Sequence, residues 1–179
     1  LGSLAALSNG NYVVGSPNWA ANDIGAVTWG DGTTGTVGSV SAGNSIVGVT
    51  ANDNVGGVTA LTNGNYVINS PNWDGGAVNV GAVTWVNGAG SSSGTVTGGN
   101  SLTGTTHNDN VGGGGITALT NGNYVVRSQN WDGVAVNTGA VTWGSGVAGT
   151  TGTVSASNSL VGSVANDQVG SGGITALSN

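Results

Sequence analysis

An apolar stretch, a polar Asn-Gly corner and a second apolar stretch recur along the chain. They read Ala6-Leu7-Ser8-Asn9-Gly10-Asn11-Tyr12-Val13-Val14, then Ala60-Leu61-Thr62-Asn63-Gly64-Asn65-Tyr66-Val67-Ile68, then Ala118-Leu119-Thr120-Asn121-Gly122-Asn123-Tyr124-Val125-Val126. Asn-Gly accepts positive φ at both central turn positions with little strain, so each stretch predicts a β-hairpin closed by a two-residue type I′ turn. The opening word returns at Ala176-Leu177-Ser178-Asn179. The leucines before the corner, Leu7, Leu61, Leu119 and Leu177, stand 54, 58 and 58 residues apart. A fixed period of this length is the mark of a solenoid, a propeller or an array. The spacing predicts repeats at 1–56, 57–114 and 115–172, with 173–179 as the first strand of a further one.

Four strands are predicted in each repeat. In the second they are 57–61, 65–70, 81–85 and 100–104, and Thr95-Val96-Thr97 inside the long third connection is a candidate fifth. Runs such as Tyr124-Val125-Val126 are apolar at consecutive positions and so apolar on both faces of a strand. A sheet wet on one side alternates, whereas a sheet covered on both sides need not. The pattern therefore predicts an all-β chain of tandem four-stranded antiparallel repeats, packed face to face as β-propeller blades. Three blades are fewer than such a ring needs, so the array is either open or completed by other copies. A β-solenoid of parallel rungs is the alternative, and the hairpins favour antiparallel pairing.

Composition narrows the function. Charged residues make up 4% of the 179: seven Asp, no Glu, no Lys and the single Arg127, for a net charge of −6. One cation cannot neutralise a phosphate backbone, so nucleic acid is excluded as a partner, and an anionic membrane surface for the same reason. No apolar run reaches the roughly 18 residues of a membrane-spanning helix, and membrane insertion is not expected. Without Cys there is no disulfide or thiolate site. With no Met, and a first residue that falls inside a repeat, the chain is expected to be part of a longer protein.

The words Asp53-Asn54-Val55-Gly56, Val14-Gly15-Ser16-Pro17 and Gly81-Ala82-Val83-Thr84-Trp85 resemble the FG-GAP repeats of integrin-alpha-type β-propellers. The whole chain also resembles tandem repeats of very large filamentous-haemagglutinin-type bacterial surface exoproteins, through its "LTNGNYVV…SPNWD…GAVTWG" wording. The first resemblance implies blades. The second implies a secreted or cell-surface adhesin-like parent and names no ligand. Integrin-type blades often carry a calcium loop between their first two strands; here that place holds only the Asn-Gly corner, so the ligands do not carry over. The seven Asp are spread singly, and the Asn-Asp pairs at 52–53, 108–109 and 166–167 read as turns in which Asp accepts nearby backbone N–H groups. No metal and no cofactor are expected.

The remaining candidates are few. Trp19, Trp73 and Trp131 follow the second strand beside Asn and Asp, where an indole could stack on a sugar; the plainer reading is a packing anchor. Trp29, Trp85 and Trp143 end the third strand and read as packing residues. His107 stands where the other repeats have Ala51 and Ala165. Arg127 replaces Gly15 and Asn69 and reads as exposed-strand variation. One His and no Glu cannot assemble a nucleophilic triad or a carboxylate pair, so no catalytic residue and no enzyme are expected. The sequence points to a non-enzymatic structural repeat module of a surface protein, serving as adhesin segment, stalk or self-assembling fibre. Its expected partners are other copies or further repeats. A lectin-like propeller, binding a glycan or host-surface ligand through Trp19, Trp73 and Trp131, is the alternative.

Overall fold

The computed structural model describes residues 2–177, and within them every regular element is a strand. The first repeat holds β1 (Ser3–Ala6), β2 (Tyr12–Ser16), β3 (Ala26–Gly30) and β4 (Ser45–Val47). The second holds β5 (Gly57–Ala60), β6 (Tyr66–Ser70), β7 (Ala82–Val86), β8 (Gly94–Thr95) and β9 (Ser101–Thr103). The third holds β10 (Gly115–Ala118), β11 (Tyr124–Ser128), β12 (Ala140–Gly144), β13 (Gly152–Thr153) and β14 (Ser159–Val161). Each repeat forms a four-stranded antiparallel meander, a blade-like unit, and no sheet closes on itself. The first strands of successive repeats approach one another, β1 to β5 and β5 to β10.

The fifth strands do something the sequence did not announce. β8 leaves its own repeat and pairs in parallel with β4 of the first, Ile46 facing Gly94 and Val47 facing Thr95. β13 pairs with β9 of the second repeat in the same way. The amide next along the chain continues each ladder, Val96 N donating to Val47 O at 3.0 Å and Val154 N to Thr103 O at 3.0 Å. Every repeat after the first thus reaches back and extends its neighbour's sheet.

The hairpin corner differs from expectation. Leu7 N donates to Asn11 O at 2.8 Å and Gly10 N to Leu7 O at 3.0 Å, with Gly10 at φ 91° while Asn9 is not left-handed. This is a three-residue loop, a type I turn followed by a left-handed glycine, in place of the two-residue type I′ turn. The second and third hairpins repeat it, with Gly64 and Gly122 at φ 86°. The reason is local: the Asn9 side chain accepts a bond from Asn11 N at 3.1 Å, which holds Asn9 in the right-handed region. At the other end, Gly173–Leu177 carries first-strand wording yet forms no strand among the described residues. Ser178 and Asn179 lie outside the described residues.

The core sits between the sheets. One cluster joins Leu7, Val13, Val27, Ile46 and Val55 of the first repeat to Tyr66, Ile68, Val86 and Val96 of the second. The other joins Leu61, Val67, Val83, Leu102 and Val111 of the second to Tyr124, Val126 and Val154 of the third. Each repeat has a forward face, which meets its successor, and a back face, which meets its predecessor. Strand β6 of the middle repeat uses both, and Tyr66, Val67 and Ile68 are all fully buried.

Candidate functional site

The repeat junction is where the chain's chemistry converges. At the first junction one carbonyl, Gly88 O, accepts three side-chain donors from the preceding repeat: Asn9 Nδ2 at 3.0 Å, Asn11 Nδ2 at 3.1 Å and Trp29 Nε1 at 2.9 Å. At the second junction Gly146 O accepts Asn63 Nδ2 at 2.7 Å, Asn65 Nδ2 at 2.8 Å and Trp85 Nε1 at 3.0 Å. The hub needs glycine because a Cβ at Gly88 or Gly146 would drive into the carbonyl of Gly64 or Gly122 in the hairpin corner beside it. Asn65 and Asn123 complete the arrangement, their Oδ1 accepting the hub's own N–H at 3.1 and 3.0 Å. The Asn-Gly-Asn corner therefore performs two tasks: it turns the chain and docks the next repeat.

A second clasp is built on aspartate. Asp53 is wholly buried. Its Oδ2 accepts Val49 N and Thr50 N, both at 2.8 Å, and its Oδ1 accepts Asp74 N of the following repeat at 3.0 Å. Asp109 repeats this with Thr105 N, Thr106 N and, across the second junction, Asp132 N at 2.9 Å. Three N–H donors make burial of a carboxylate tolerable without a cation. Asp167, in the last repeat, keeps only the local half, Ser163 N and Val164 N. Those N–H groups, Val164 first, hold its carboxyl below the usual aspartate value. Left-handed asparagines shape these exits, Asn52 and Asn54 at φ 67° and 48° and Asn108 and Asn110 at 66° and 45°, a region Asn enters more readily than most residues. The expected Asp turns are present, and they are halves of an inter-repeat contact.

The tryptophans divide in an unexpected direction. Trp73 and Trp131 are buried in the two clusters, with Gly75 and Gly133 pressed against their six-membered rings. Their Nε1 atoms have no hydrogen-bond partner. Trp19, on the back face of the first repeat, is half-buried. Trp29 and Trp85, of the strand set, carry the polar contacts to the hub, and Trp143 is 55% exposed. His107 is exposed beside Asn108. Arg127 is half-buried rather than free on the strand, and donates through Nη1 to Gly170 O at 3.2 Å. Among the described residues no three His, Asp or Glu side chains gather into a metal-holding group.

Two buried phenols complete the junctions. Tyr66 and Tyr124 bury their rings between sheets and leave their hydroxyls without a partner. Burial pushes the Tyr66 phenol well above its ordinary value of 10.0 and raises the Tyr124 phenol too. No curated protein matches the chain. A family described as a repeat of unknown function, DUF5650, matches residues 6–57, 60–113 and 118–171, the same three units that the two junctions join. The chain is a tandem array belonging to the DUF5650 repeat family.

Proposed function

We propose that this chain is a non-enzymatic structural module, a run of blade-like repeats in an exported bacterial surface protein, serving as stalk, adhesin segment or fibre. One observation carries the reading. The polar groups that recur in the first and second repeats, Asn9 and Asn63, Trp29 and Trp85, Asp53 and Asp109, hold one repeat to the next. A binding or catalytic protein leaves such groups pointing at solvent or at a cleft; here they are consumed by assembly. The finer architectural reading follows the FG-GAP resemblance: first strands close together and sheets face to face are the arrangement of propeller blades. Export is supported by the exoprotein resemblance and by a surface solubilised with Asn, Ser, Thr and Gly.

The test has two arms. An antibody raised against the chain should label intact cells of the source bacterium, and surface-applied protease should remove the signal. Titration with glycan panels should leave tryptophan fluorescence unchanged. Labelling only after lysis would overturn the surface assignment, and a saturable fluorescence shift would overturn the purely structural one.

A further inference from the structure

The two end faces of the array are the two halves of one junction. On the forward face of the third repeat, Val125, Val141 and Leu160 stand where Val67, Val83 and Leu102 are buried in the second. Leu160 is 70% exposed, against 7% for Ile46 and 1% for Leu102. The donors Asn121 Nδ2, Asn123 Nδ2 and Trp143 Nε1 occupy the positions that grip a hub carbonyl elsewhere. On the back face of the first repeat, Tyr12, Val14, Thr28 and Val40 line an apolar recess of about 160 Å³. Tyr12, Val14, Thr28 and Val40 are the counterparts of Tyr66, Ile68, Thr84 and Val96, which the preceding repeat covers at the internal junction. Gly32, counterpart of Gly88 and Gly146, packs under its own hairpin corner and donates its N–H to Asn11 Oδ1 at 3.2 Å, as they donate to Asn65 and Asn123.

The most telling segment is Gly38-Ser39-Val40. It is the counterpart of β8 and β13, and its local structure is theirs. Gly38 is left-handed at φ 113°, as Gly94 is at 123° and Gly152 at 94°. Asn44 Nδ2 donates to Ser39 O at 2.9 Å, as Asn100 does to Thr95 O and Asn158 to Thr153 O, both at 2.9 Å. Only the strand partner is missing. β14, at the opposite end of the molecule, pairs with β12 on one side and among the described residues has no strand on its outer edge, the edge that β8 and β13 cover on β4 and β9.

We infer that a second copy of this chain docks head to tail, its Gly38–Val40 adding in parallel to β14 and its Gly32 carbonyl seated on Asn121, Asn123 and Trp143. The inference rests on the structural-module reading and specifies the partner. The junction is a third use of an interface the chain already contains twice. The contact is weaker than the internal ones. The Asn18–Gly25 connection is two residues shorter than its counterparts, and Asn18 Nδ2 is turned to Asp23 Oδ1 instead of crossing the junction. Because the two surfaces differ, the interface is heterologous and propagates into filaments unless its rotation closes a ring.

Sedimentation equilibrium of the full chain tests this. The weight-average mass should rise with concentration above 17.0 kDa. Leu160→Asp spoils only the forward face and Val40→Asp only the back face; each alone should remain at the monomer mass with an unchanged circular dichroism spectrum. Mixed in equal amounts, they retain one intact forward and one intact back face, and should form a species of twice the monomer mass that grows no further. A wild-type chain that stays monomeric at every attainable concentration overturns the inference. So does a mixture that fails to dimerise, or variants that assemble as the wild type does. A monomeric wild type would leave the stacking of repeats within the chain intact, since that is read separately from the internal junctions.

Discussion

At the scale of the residue, the same amino acid has different consequences in different repeats. Asn63 and Asn121 each cap their own hairpin through Oδ1, but only Asn63 also grips a carbonyl of the next repeat. Asn63→Ala is therefore expected to cost about 1 kcal/mol more than Asn121→Ala, one net hydrogen bond, in urea unfolding of dilute protein. Equal losses would remove the hub from the account. The buried phenols give a second expectation. Tyr66 and Tyr124 keep their protons in the folded chain, so the native state holds more protons than the unfolded state once pH passes the ordinary value of 10.0. Stability from this source is intact below about pH 10 and falls above it. Phenolate absorbance from these two should appear only together with loss of the circular dichroism signal, and ionisation in a still-folded chain would contradict their burial.

At the scale of the element, strand positions were legible and strand partners were not. The second repeat's strands fall within a residue or two of the stretches read from its apolar runs, because short β-branched runs between Gly and Asn corners are a local signal. The candidate at 95–97 is real as β8. Its pairing with β4 was hidden, because a parallel partner some fifty residues away leaves no trace in local alternation. The hairpin corner departs from the type I′ turn for a local reason. An Asn-Gly dipeptide favours a type I′ turn when nothing else acts, and here the Asn carboxamide acts on the backbone two residues on. The tryptophans show the same limit: both sets flank polar residues, and only the stacking of sheets decides that Trp73 is enclosed while Trp143 is not. Hydrogen exchange resolves the element that matters most. In dilute solution the Val96 and Val154 amides, bonded to Val47 O and Thr103 O, should be strongly protected, and the Val40 amide should exchange freely. Similar rates at all three would mean that the back-reaching strands do not hold.

At the scale of the whole molecule, the core belongs to pairs of repeats. The first and third repeats each bury one face, and β2 and β11 show opposite alternation, Val13 buried in the one and Tyr124 and Val126 in the other. Only the middle repeat is covered on both. Stability is then a sum of nearest-neighbour terms, as in other linear arrays, and a lone repeat has both faces of its sheet uncovered. The measurement that bears most directly on this is equilibrium unfolding of chains carrying one, two and three repeats. The account predicts that residues 57–114 alone show no cooperative transition, that residues 57–172 fold, and that the full chain is more stable again by a comparable increment. A single repeat that unfolds cooperatively with the stability of the full chain would contradict it.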